Sequence, residues 1–105
     1  MALIDWHEDA WRLFNEHVDR AYYEFGRKTG EKWLKEMAVV DSRLRNYPES
    51  YTPEPLLKGR AKVYRGCLIM RRFKIIYYYE LSSDTVHIVD LWDTIQNPQA
   101  LRWRI

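Results

Sequence analysis

Apolar residues return at intervals of three and four from Glu8 onward: Ala10, Leu13, Phe14, Val18, Ala21 and Phe25. That spacing gathers them on one side of a helix over about residues 8 to 26, with Arg12, Glu16, Asp19 and Arg20 on the wet side. Gly26 and Gly30 punctuate the pattern. A second stripe of Trp33, Met37, Val40, Leu44 and Tyr47 then predicts a helix from about Glu31 to Asn46. Pro48 ends it, because proline lacks the amide hydrogen a helix needs and disfavours helical geometry in the residue before it. The connection is short, so the helices are expected to form an antiparallel hairpin with both stripes towards one core.

Between Tyr47 and Gly59 the repeat lapses into an irregular loop containing Pro48, Pro53 and Pro55. Lys62 to Met70, Arg72 to Leu81 and Thr85 to Trp92 are rich in Val, Ile, Tyr and Phe and read as an antiparallel meander, with Ser82-Ser83-Asp84 as a turn. Ala2 to Asp5 is a candidate short strand, and Asn97-Pro98 reads as the cap and first turn of a brief C-terminal helix. The expected fold class is α+β in the order β-α-α-β-β-β. One domain over residues 1–105 packs an N-terminal helical hairpin on a small antiparallel sheet.

With the turn at Ser82-Ser83-Asp84, Tyr79 is expected to pair with Thr85, which fixes the faces. Phe73, Ile75, Tyr77, His87, Val89 and Leu91 then pack on the helices, making His87 a core residue. Arg72, Lys74, Ile76, Tyr78, Ile88, Asp90 and Trp92 form the other face, with Lys74 opposite Asp90 as a cross-strand ion pair. An exposed Lys74 is expected to tolerate substitution at a cost under about 0.5 kcal/mol.

Charge changes this picture most. The chain carries a formal +2, but Lys58, Arg60, Lys62, Arg65, Arg71, Arg72 and Lys74 lie in a stretch without an acidic residue, while the flanks are net acidic. A dense patch of one sign suits a polyanion or an acidic protein segment. Hydrophobic residues at 47% exclude a disordered chain. No run approaches the roughly 18 apolar residues of a membrane span, and the start lacks a basic segment followed by a long apolar one. The lone Cys67 excludes an intramolecular disulfide, and His7, His17 and His87 are scattered without zinc-like spacing. A reducing, cytoplasmic setting is expected, with no metal and no cofactor.

The order of these elements, with Ala10 one turn into the first helix, Tyr47-Pro48, Glu54-Pro55-Leu56-Leu57-Lys58-Gly59, Phe73-Lys74-Ile75-Ile76-Tyr77 and Asp93-Thr94-Ile95-Gln96-Asn97-Pro98, resembles the RelE/ParE toxins of bacterial type II toxin-antitoxin (plasmid stabilisation) systems. The resemblance covers nearly the whole chain. It implies a toxin neutralised by an acidic antitoxin from the adjacent gene, in a toxin-antitoxin hetero-oligomer. Two activities divide that family. One branch consists of metal-independent endoribonucleases, RNA-binding mRNA interferases that cut messenger RNA in the ribosome, and the ParE branch inhibits DNA gyrase. Lys74 stands where the ribonuclease branch has a catalytic Arg, Glu54 matches the acidic residue of its Pro-Glu-Pro-Leu loop, and Arg72 is the further catalytic candidate. Lys58, Arg60, Lys62, Arg65, Arg71, Tyr78 and Trp92 are the expected nucleic-acid or antitoxin contacts. Two features depart from the pattern: Ile95 replaces an Arg, and the terminal His-Tyr pair is missing. Ribosome-dependent mRNA cleavage is the activity expected first, with ParE-like inhibition of DNA gyrase, or a degenerate antitoxin-binding module without chemistry, as the alternatives.

Overall fold

The computed structural model describes residues 1–105. Strand β1 (Leu3–Trp6) leads into helix α1 (Glu8–Arg20), whose last turn widens into a π-helical turn at Ala21–Phe25 before helix α2 (Arg27–Asn46). A 3-10 turn at Pro55–Leu57 precedes the strands β2 (Arg65–Ile69), β3 (Phe73–Glu80) and β4 (Thr85–Asp93), and the chain closes with helix α3 (Pro98–Arg104). The fold is α+β, with a four-stranded sheet in the order β1-β4-β3-β2. No helix is long and apolar enough to cross a membrane.

Both helices form where the apolar stripes predict, but α2 starts at Arg27, four residues before the expected Glu31. Gly26 alone makes the turn, in a left-handed conformation at φ 92° that side-chain-bearing residues avoid. Gly30 lies inside α2 for a packing reason. A Cβ there would stand 2.3 Å from the ring of Tyr22, so the missing side chain lets the π-helical turn close on α2.

The sheet is mixed, which corrects the expectation of a purely antiparallel one. The meander β2-β3-β4 is antiparallel, but β1 runs parallel to β4 and sets Asp5 beside His87. Its end continues into α1, which packs across β4, and the His7 amide donates to the Ile88 carbonyl at 2.9 Å. A four-residue strand takes its partner and direction from that tertiary packing, which periodicity does not encode.

The β3-β4 register also differs. The connection spans four residues, Leu81 to Asp84, with Asp84 left-handed at φ 49° and its carboxylate accepting from the Tyr79 hydroxyl at 2.6 Å. Glu80 therefore pairs with Thr85, and Tyr78 with His87. The slip turns Val86 and Ile88 towards the helices and His87 away from them. A bulge follows, because Tyr77 pairs with Ile88 but Ile76 with Asp90, leaving Val89 as the extra residue. Beyond it the phase is restored, and Leu91 faces the helices as predicted.

Phe14, Val18, Trp33, Met37 and Leu44 meet Ile75, Tyr77, Val86, Ile88 and Leu91 in the main core. Burying each large side chain contributes about 1.5–3 kcal/mol. A smaller core of Leu57, Ile76, Trp92 and Leu101 lies on the opposite face, under α3.

Candidate functional site

The loop before β2 crosses the face away from the helices and carries Glu54 into the protein. Glu54 caps the 3-10 turn, one carboxylate oxygen accepting from the Leu56 amide at 3.3 Å. The other accepts from the Lys74 ammonium at 2.6 Å. Glu54 is buried with its side chain 1% exposed, whereas that of Lys74 is 33% exposed. The two lead catalytic candidates thus meet, but as an ion pair in which each offsets the other's charge. The expected Lys74–Asp90 pair does not form, since Lys74 stands opposite Trp92 and Asp90 bonds to Arg104 at 2.5 Å.

Arg72 lies apart from them. It grips Asp93 with two bonds, at 2.9 and 2.7 Å, and stands over the Phe73 ring. These bonds hold the Asp93 carboxyl below its ordinary value, and the same bonds raise Arg72. Two of the seven patch cations are therefore matched by carboxylates. Arg65 turns inward to the Tyr51 carbonyl at 2.8 Å, with Glu49 4.0 Å away. Arg71 sits in the β2-β3 hairpin at φ 60°, exposed and outside the loop cleft described next.

Lys58, Arg60 and Lys62 remain together. They line a cleft of about 400 Å³ with Glu54 and Tyr64. The Lys62 ammonium lies 4.2 Å from the centre of the Tyr78 ring, and Tyr64 meets Tyr78 edge-on at 5.6 Å. Tyr78 is half-buried and remains at the open end of the face. Trp92 does not: it is 2% exposed beneath α3, so its expected role as an open stacking surface is corrected by the small core that covers it. Burial pushes the Asp90 carboxyl up against the opposing pull of Arg104, and Oδ2 of Asp90 has no partner. Cys67 is buried in β2, and burial pushes its thiol up to about 12, which leaves it inert as a nucleophile at neutral pH.

One cluster escapes the sequence reading. His87, expected in the core, faces outward and stacks on Tyr78 with ring centres 4.7 Å apart. Its Nδ1 lies 2.9 Å from Oδ2 of Asp5 and 3.4 Å from Nε2 of His7. Its Nε2 is 3.3 Å from Glu80. Of the His, Cys, Asp and Glu side chains, Asp5, His7 and His87 are the ones whose ligand atoms converge closely enough to hold a metal ion. No local spacing announces this cluster, since the parallel β1-β4 pairing joins residues from opposite ends of the chain.

No protein-family model and no curated protein matches this chain. Among solved structures it is similar to a chain described as the chromosomal ParDE TA system from P. aeruginosa. The two are 13% identical and superpose with a TM-score of 0.66, over 89% of this chain and 96% of that one. The likeness shows that the two share a fold.

Proposed function

We propose that this protein is the toxin of a toxin-antitoxin pair, that an acidic antitoxin segment binds its Lys58-Arg60-Lys62 cleft, and that it arrests growth by binding a protein rather than by cutting RNA. The observation that carries the first part is the cleft itself. Three cations without a carboxylate partner share one concavity beside two tyrosines, on a fold shared with a ParDE chain. An acidic, partly aromatic peptide matches that surface in charge and in stacking.

The second part rests on the pairing of Lys74 and Arg72. Phosphate cleavage without metal needs a base, an acid and cations that meet the charge building on phosphate. Here the cations at the expected catalytic positions are held by Glu54 and Asp93. Lys74 would have to leave a buried carboxylate to reach a phosphate. DNA gyrase is the protein target that the resemblance to the ParE branch implies.

Ribosome-dependent mRNA cleavage is the second reading, favoured by the placement of Glu54 in the same cleft as Lys58, Arg60 and Lys62. A phosphate that drew Lys74 away would free Glu54 as a base. Two assays of the purified chain separate the readings: mapping of mRNA ends on translating ribosomes, and DNA supercoiling by gyrase. The expected result is intact mRNA with inhibited supercoiling. Discrete cuts in the ribosomal A site with unaffected gyrase would replace the first reading by the second.

A further inference from the structure

We propose that Asp5, His7 and His87 form a binding site for a transition-metal dication, zinc above all, at the junction of β1, α1 and β4. The inference is independent of the toxin reading and rests on the geometry of three donor atoms. Their separations are 2.9 Å between His87 Nδ1 and Asp5 Oδ2, 3.4 Å between the two ring nitrogens, and 3.7 Å between His7 Nε2 and Asp5 Oδ2. Tetrahedral coordination at zinc bond lengths of about 2.0–2.1 Å sets neighbouring donors about 3.3 Å apart. A cation at the centre of this triangle reaches all three at bonding distance.

The surroundings supply what such a site needs. His87 Nε2 points at Glu80 at 3.3 Å, and Glu80 is itself fixed by the Ser83 hydroxyl at 2.5 Å. A ligating imidazole commonly gives its second ring N–H to a carboxylate in this way, which leaves the other nitrogen with a lone pair for the metal. With its proton on Nε2, His87 presents that lone pair to an Asp5 oxygen and a His7 nitrogen together. A proton there can bridge one such contact, whereas a metal ion satisfies all three. Stacking on Tyr78 holds the His87 ring, and the His7 backbone is held by Ile88. Asp5 and His7 are each about half exposed, so the fourth position opens to water. Two imidazoles and one carboxylate suit zinc, cobalt, nickel or copper better than magnesium or calcium. The ligands bind β1 and the start of α1 to β4, so metal should stabilise the fold.

The test is titration of untagged protein with Co²⁺, followed by displacement with Zn²⁺. We expect visible absorption of four-coordinate cobalt, saturating at one equivalent and lost on adding zinc, and a thermal midpoint that rises with zinc. His87→Ala and His7→Ala should lose both responses, and the exposed Asp5→Asn should weaken them without disturbing the fold. Glu80→Gln should keep the stoichiometry and lower affinity by about 10- to 100-fold. His17→Gln, on the far face, should bind as the unaltered chain does. Absence of the cobalt bands and of the zinc-induced rise in the folded protein would overturn the proposal. So would equal binding by a folded His7→Ala, His87→Ala double variant.

Discussion

Removing the ammonium of Lys74 leaves the Glu54 carboxylate buried, with the Leu56 amide as its remaining side-chain partner. An uncompensated buried charge is costly, so Lys74→Ala should destabilise the protein by about 2–3 kcal/mol in urea unfolding. The double variant Glu54→Gln, Lys74→Met removes both charges and should recover most of that loss. Growth assays on Lys74→Ala alone would therefore confuse lost function with lost fold. The sequence offers both residues as candidates; their pairing is not legible in it, because the path of the loop before β2 has no periodicity to read. His17 illustrates a second residue-scale effect. Stacked on Trp33 and tilted against Phe73, it is held below its ordinary value by burial and by Arg20. The unfolded chain therefore takes up the proton first, near the ordinary value of about 6.5. Stability should be unaffected by this group above that pH and fall as pH drops below it. His17→Gln should flatten that part of the acid limb in urea midpoints measured between pH 7 and pH 5.

At the scale of elements, α3 is held by Arg104 on Asp90, by Arg102 on the Leu56 carbonyl and by Arg60 on the Arg102 carbonyl. Asn97 and Pro98 announce the helix in the sequence, but nothing there says that it covers Trp92. That follows from the bulge at Val89, which keeps Trp92 on the far face. Arg104→Ala should raise Asp90 further, since the pull that opposes burial is removed. The folded variant then favours a proton that the unfolded chain releases near pH 4, so its deficit in stability should grow from pH 4 to pH 7. Equal deficits at both pH values would show that Asp90 does not feel Arg104. In the helical hairpin, Gly30→Ala gains helix propensity but drives a methyl into Tyr22. A net loss of about 1 kcal/mol is expected, with the Tyr22 ring displaced into solvent. The helix stripes are readable because amphipathic spacing is local. The β1 direction and the β3-β4 register are not, because a four-residue turn and a bulge shift phase without changing composition.

For the whole molecule, the contrast between a basic stretch and acidic flanks survives folding in reduced form. Arg72, Lys74 and Arg65 turn to internal partners, and Lys58, Arg60 and Lys62 stay together as one cleft. This local excess is legible from residue order alone, whereas its division between cations matched by carboxylates and cations without one comes from the fold. Growth arrest by the free chain and its relief by an acidic antitoxin segment on that cleft are the two halves of the proposed function. The most direct measurement is viability of bacteria after brief induced expression of the chain, with and without the product of the neighbouring gene. Expression alone should stop growth, co-expression of an acidic neighbour should restore it, and the two proteins should purify together. Lys58→Glu with Lys62→Glu should leave the arrest and abolish the rescue. Normal growth on expression of the folded chain, with no complex formed with the neighbour, would contradict the account.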